Sequence, residues 1–168
     1  MKRYDYYETP CGRMLLVADG EALCGAYFVG QKHFREIDGD WRRDPRAAPL
    51  VQARRELDEY FAGKRRTFDV ALAAEGTPFQ RRLWAALCEI PRGKTLTYGE
   101  LARRLGAEAR AVGQACGDNR LPIVIPCHRV VAANGIGGFA HATSGYLLEA
   151  KRWLLAHECG ADAFELTP

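Results

Sequence analysis

The chain has 168 residues, 48% of them hydrophobic and 27% charged, with a formal net charge of +3. This is the balance of an ordinary soluble globular protein, long enough for one large domain or two small ones with real cores. No apolar run is long enough to span a bilayer, and Met1-Lys2-Arg3-Tyr4-Asp5 lacks the apolar stretch of a secretory signal, so a cytoplasmic protein is expected.

The six cysteines (Cys11, Cys24, Cys88, Cys116, Cys127, Cys159) show no Cys-x-x-Cys pair. In a cytoplasmic chain disulfides are not expected. Zinc needs clustered ligands, and the nearest approach to a set is Cys11, Cys24 and His33. No metal and no cofactor is expected. The positive charge is uneven. Residues 81–129 carry Arg81, Arg82, Arg92, Lys94, Arg103, Arg104, Arg110, Arg120 and Arg129 against Glu89, Glu100, Glu108 and Asp118. Such a half can face phosphate or simply be a solvated surface.

Residues 1–75 read as a small α/β unit. Arg3 to Glu8 is tyrosine-rich and extended, Thr9-Pro10-Cys11-Gly12 is a turn, and Met14 to Ala18 is an apolar strand. Asp19-Gly20 is a hairpin signal, and Leu23 to Val29 is the returning strand. Gln31 to Asp44 is polar without a clear period and predicts a loop. Pro49 opens a helix with Leu50, Ala53, Leu57, Tyr60 and Phe61 on one face, ended by Gly63-Lys64. Thr67 to Leu72 is expected as a further short strand. Nothing in this half looks catalytic, and it reads as a scaffold.

Ala73-Ala74-Glu75-Gly76 reads as a linker. Residues 76–168 then form a second, strongly punctuated unit. Thr77-Pro78-Phe79-Gln80 is a capping box with proline at the first helical position, and Phe79, Leu83, Leu87 and Ile90 make its apolar stripe up to Pro91. Arg92-Gly93-Lys94 is a turn. Thr97-Tyr98-Gly99-Glu100 is a second capping box, opening a short helix that stops at Gly106. Glu108 to Cys116 predicts a third helix, ending at Gly117. Two short helices around a tight turn are the helix-turn-helix pattern. The second presents Arg110, Ala111, Gly113 and Gln114 away from Val112 and Cys116. A helix that reads base sequence usually carries several long polar side chains. This one favours close, sequence-independent docking, or simple packing of its alanines against a neighbour.

Between Ile123 and Val131, apolar β-branched residues bracket Pro126-Cys127-His128-Arg129. A thiol acts as a nucleophile in its thiolate form, which neighbouring imidazole and cationic groups favour. A buried structural cysteine beside a core histidine is the plain alternative. After this stretch, Asn134-Gly135 and Gly137-Gly138 predict a tight segment, and Ser144 is placed as the cap of a last helix. Leu147, Leu148, Lys151, Leu154 and Leu155 lie on one stripe, and Gly160 is the stop. Glu158, in the final turn, opposes the helix dipole and calls for a local partner, for which His128 is the candidate. Cys127, His128 and Glu158 would then follow the logic of an activated nucleophile.

These residues resemble a known family. Pro126-Cys127-His128-Arg129-Val130, together with Thr77-Pro78-Phe79-Gln80, Thr97-Tyr98-Gly99-Glu100-Leu101-Ala102, Arg110-Ala111-Val112-Gly113, Asn119 and Trp153-Leu154-Leu155-Ala156-His157-Glu158, is similar to the O6-alkylguanine-DNA alkyltransferases, in family order over about residues 76–160. The resemblance implies an N-terminal RNase-H-like sheet-plus-helix domain and a C-terminal winged-helix-like helix-turn-helix domain. It implies a monomer that binds duplex DNA through the minor groove, flips the alkylated guanine, and takes the alkyl group once and irreversibly, without a cofactor. Activity on O4-alkylthymine is a further possibility it raises.

By the same resemblance, Cys127 is the acceptor, His128 its base through water, Glu158 the orienter of His128, and Asn119 the hinge between recognition helix and active-site loop. Arg110 would hold the place of the flipped base, with Ala111 and Gly113 beside it on the docking helix. Tyr98 would turn the 3′ phosphate and donate to the guanine, and Val130 would contact the base. The sequence departs from the family in two places. Arg120 stands where a proline is usual, and Ala140 to Tyr146 is several residues longer than the family's small-residue turn. Phe139 then becomes the expected pocket wall, and Ser144 a candidate contact to the base. A damage-sensing binder, a helix-turn-helix regulator and a Cys-His hydrolase are the competing readings. The presence of Cys127, the alanine-rich second helix and the adjacency of Cys127 to His128 argue against them in turn.

Overall fold

The computed structural model describes residues 1–31, 37–142 and 145–160. Strands β1 (Lys2–Thr9), β2 (Gly12–Asp19), β3 (Ala22–Phe28) and β4 (Arg42–Arg43) form a sheet in the order β3-β2-β1-β4. The first three are an antiparallel meander; β4 joins β1 in parallel, Arg3 opposite Arg42. β2 is central and covered on both faces, so it reads as the unbroken run Met14 to Ala18 rather than as an alternation. Met14, Leu16 and Ala18 meet helix α1 (Ala48–Phe61) through Leu50, Ala53, Leu57 and Tyr60, while Leu15 and Val17 pack with Tyr27 on the other face.

Two expectations for this half are corrected. Arg42–Arg43 is a strand rather than loop, because a parallel partner at the β1 edge is available. Thr67 to Leu72 is not a strand: it makes one bridge, Leu23 to Leu72, flanked by hydrogen bonds between Leu23 N–H and Ala71 O and between Ala73 N–H and Leu23 O. The segment is held instead by the buried Glu56, whose Oε1 accepts from the backbone N–H of Asp69 and Val70. A buried carboxylate is tolerated only with such donors.

The second half follows its punctuation closely. Helix α2 (Pro78–Cys88) and helix α3 (Tyr98–Leu105) each begin with a complete capping box, Thr77/Gln80 and Thr97/Glu100. Gly106 stops α3 in the left-handed conformation, and α4 (Ala109–Gly117) follows with Val112 and Cys116 inward. A 3₁₀ turn (Cys127–Arg129) leads into β6 (Val130–Val131), which pairs in parallel with β5 (Leu96–Thr97). Helix α5 (Tyr146–Cys159) closes the chain of elements. Gly145 stands at its N-cap position, and Ser144, expected as the cap, lies outside the described residues. Side chains of both halves share one apolar cluster, from Met14 and Leu57 to Leu83, Val112, Val130 and Leu154. Among the described residues no helix is long and apolar enough to cross a membrane.

Candidate active site

Asn119 builds the loop that carries the thiol. Its Oδ1 accepts from Leu121 N–H at 2.9 Å, and its Nδ2 donates to Ile125 O at 2.8 Å. The side chain thus ties both ends of a five-residue bend in which Ile123 has a φ of 74°. For a β-branched residue that conformation is strained, by roughly 1–3 kcal/mol, and persists only where the surroundings enforce it. Asn119 also favours the ionised form of the Cys127 thiol. Arg120, beside it, faces the other half of the chain: its carbonyl accepts from Ala26 N–H of β3, and its guanidinium lies 4.0 Å from Glu75.

Cys127 is 6% exposed at the floor of a cavity of about 310 Å³. Burial pushes its thiol pKa up, against the lowering influence of Asn119 and the Lys151 ammonium. The resting thiol is therefore protonated and needs a base. His128, fully buried, follows it in the chain. Burial lowers its pKa despite the adjacent Glu158, so the ring is neutral at pH 7. Its Nε2–H donates to Glu158 Oε2 at 2.6 Å, which leaves Nδ1 as the unprotonated nitrogen, and Nδ1 has no partner among the described residues.

Glu158 receives more than the histidine. Tyr60 Oη donates to Oε2 at 2.6 Å, Arg129 Nη2 to the same oxygen at 2.9 Å, and Arg129 Nε to Oε1 at 2.9 Å. Burial alone would raise the carboxyl pKa, but His128 and Arg129 overcome it and hold the group well below the usual carboxylate range. The cluster corrects the reading of residues 1–75 as pure scaffold: Tyr60, on α1, donates to the same carboxylate oxygen as His128. Arg129 was legible only as part of the Cys-His-Arg triplet, and its second role, donating to Ile90 O at 2.6 Å, links the turn after α2 to the site. Lys151, one residue of an expected apolar stripe, is fully buried, with Nζ donating to Val130 O at 2.7 Å and Gly138 O at 2.8 Å. Burial lowers its pKa to about 8, with the two nearby thiols acting in the opposite sense.

The remaining expected residues divide by position. Tyr98, Gly113, Phe139 and Cys127 line the cavity together with Gln114, Cys116, Gly117 and the 138–142 stretch. Gly137 permits this closure, since a Cβ there would meet the Tyr98 ring at 2.8 Å and its φ is +74°. Arg110 and Ala111 are exposed on the first turn of α4. Val130 does not line the cavity; its side chain is wholly buried and its carbonyl is held by Lys151. Ser144 and His33 lie outside the described residues, and among those described no three His, Cys, Asp or Glu side chains gather as a metal set.

A small sheet domain joined to a helix-turn-helix, with the second helix walling a thiol cavity, is the architecture of the DNA alkyltransferases. The chain belongs to the 6-O-methylguanine DNA methyltransferase family: the family's ribonuclease-like domain matches residues 2–74 and its DNA-binding domain residues 78–160. It is 43% identical over 158 residues to the methylated-DNA–protein-cysteine methyltransferase of Methanosarcina acetivorans, covering 92% of this chain and 97% of that protein. The constitutive enzyme of that name from Bacillus subtilis is 37% identical over 164 residues, covering 90% and 96%. Among solved structures, Mycobacterium tuberculosis OGT in complex with DNA superposes with a TM-score of 0.82 at 39% identity, covering 93% of this chain and 92% of that one.

Proposed function

We propose that this protein repairs DNA by direct reversal, moving the alkyl group from O6 of guanine in duplex DNA to Cys127, once per molecule. The observation that carries the reading is the buried Cys127–His128–Glu158 arrangement under a cavity walled by α4. Neutral His128 takes the thiol proton at Nδ1, through water. The resulting imidazolium is balanced by Glu158, which already holds the ring's other N–H. The Cys127 sulfur then bonds the alkyl carbon as the carbon–O6 bond breaks. The bonding pair passes to the guanine, which takes up a proton, with Tyr98 the donor beside the cavity. A thioether has no leaving group for hydrolysis, so the protein is consumed.

Asn119 and Lys151 favour the developing thiolate, the former by hydrogen bond and the latter by charge. Arg110, exposed at the start of α4, occupies the vacated place in the stack, while Ala111 and Gly113 let the helix backbone approach the duplex. Opening the pair costs a few kcal/mol, least for a damaged base. The chain acts as a monomer, without a metal or cofactor. Intact mass after mixing with duplex DNA bearing O6-methylguanine tests the reading. A gain of one methyl, mapped to Cys127 and absent from Cys127→Ser while DNA binding persists, is expected. Transfer surviving in Cys127→Ser overturns it, and binding without transfer in the wild type makes the protein a damage sensor.

A further inference from the structure

The wall of the cavity opposite α4 is a hairpin with unusual chemistry. Phe139 and Ala142 exchange both backbone hydrogen bonds, at 2.9 and 2.8 Å. The corner residues, Ala140 and His141, have φ of 50° and 66°. Two consecutive left-handed residues make a type I′ turn, a place taken mainly by asparagine and glycine. Neither corner residue here is of that kind, so the hairpin needs external support.

Contacts at its root and at its corner supply it. At the root, Phe139 packs edge-on against Phe28 of β3, with centroids 5.7 Å apart. At the corner, His141 Nε2 lies 2.8 Å from Oδ1 of Asp118, the residue that follows α4. Asp118 is itself braced, its Oδ2 accepting from Gln80 Nε2 at 3.2 Å, and Gln80 belongs to the α2 capping box. The brace therefore runs from the start of α2 through the end of α4 to the tip of the hairpin. The imidazole also lies directly over Gly117, where a Cβ would come within 2.4 Å of the ring. Gly117 and His141 line the cavity with Cys127.

We propose that the His141–Asp118 pair, seated on Gly117, is a clamp that sets the spacing between the hairpin wall and α4 and so determines which size of O6-alkyl group Cys127 accepts, favouring methyl over bulky aralkyl groups. The inference rests on the alkyl-transfer reading above. The hairpin is fixed at its root by Phe28 whatever happens at its tip. Releasing the tip opens the cavity on the α4 side without dismantling the thiol, imidazole or carboxylate. A small alkyl group depends on close walls to hold it in line with the sulfur, and a large one gains from the room.

The test is single-turnover transfer from duplexes carrying O6-methylguanine or O6-benzylguanine, measured for wild type, His141→Ala, Asp118→Ala, His141→Gln and Gly117→Ala. Loss of the clamp in His141→Ala and Asp118→Ala is expected to slow methyl transfer about tenfold, the worth of one hydrogen bond to a carboxylate, and to raise the benzyl-to-methyl rate ratio. His141→Gln, which keeps an N–H donor at similar reach, restores part of the ratio. Gly117→Ala keeps both partners but displaces the ring, and moves the ratio the same way as His141→Ala. A ratio equal to wild type in all variants that still transfer, or parallel losses of both rates, overturns the clamp while leaving alkyl transfer standing. A wild type that transfers neither group overturns the transfer reading and the clamp with it.

Discussion

Replacing Glu158 by Gln removes one charge and one acceptor from a site with four donors. Oε2 serves His128, Tyr60 and Arg129 Nη2, and Oε1 serves Arg129 Nε. If the amide oxygen keeps the Oε2 place, the amide N–H₂ faces Arg129 Nε–H, and two donors confront each other. Arg129 is buried and loses its only counter-charge within 4.0 Å among the described residues. Breaking such a buried pair costs about 3–5 kcal/mol, a large part of the 5–15 kcal/mol that typically holds a domain together. For a chain of this size that lowers Tm by roughly 6–20 °C. The pH dependence has a definite sign. Glu158 has a folded pKa below its ordinary 4.5, so its stabilisation is present above that pH and is lost as pH falls through the acid range. The Glu158→Gln variant loses less stability on acidification than the wild type. With the amide oxygen in the Oε2 place His128 keeps an acceptor but loses the charge that balances its imidazolium, and methyl transfer slows by about 10²–10⁴, the usual worth of a positioned base. Denaturant melts at several pH values and single-turnover transfer at 20 °C below the variant's Tm read both effects. A folded Glu158→Gln that transfers within threefold of wild type would refute the reasoning.

Tyr60→Phe deletes one of those donors and is expected to cost about 1 kcal/mol, with a smaller loss of transfer rate than Glu158→Gln; an unchanged rate removes Tyr60 from the positioning network. Lys151→Met takes the lysine donor from the buried Val130 carbonyl, leaves Gly138 O with Tyr98 Oη at 3.5 Å, and removes a positive charge near the thiol, slowing transfer and destabilising the fold by about 1–3 kcal/mol. Because the folded pKa of Lys151, about 8, lies below its ordinary 10.5, the wild type gains stability between those pH values, and the Lys151→Met variant lacks that gain. Arg110→Ala is expected to weaken flipping, followed by a fluorescent base analogue, more than initial binding; equal losses contradict its place in the stack. Affinity for duplex falls with added salt, and a flat salt profile argues against phosphate contacts.

Much of this site was legible because its chemistry is local in sequence. Cys127 and His128 are adjacent, and the capping boxes at Thr77 and Thr97 announce their helices within four residues. Glu158 was reached by a physical anomaly, an acid at a helix C-terminus. What stayed hidden depends on distant partners. Tyr60 is 98 residues from the carboxylate it binds, and on α1 it looks like any aromatic on an apolar face. Lys151 falls on the buried stripe of α5, where helical periodicity cannot reveal two waiting carbonyls. The Thr67 to Leu72 segment has the residues of a strand but finds Glu56 in place of a ladder. The I′ turn at Ala140-His141 carries none of the residues that announce such turns, so only the fold discloses it.

The Tyr60–Glu158 bond has a consequence for the order in which the protein matures. Contacts between residues so far apart close late, since the loop entropy is lost before the contact returns it. Synthesis runs from the N-terminus, so Glu158 is made after Tyr60, Cys127 and His128. Until α5 docks, the imidazole has no carboxylate to fix its tautomer. The set of donors around Glu158, Tyr60 among them, is therefore complete only once the two halves of the chain are joined.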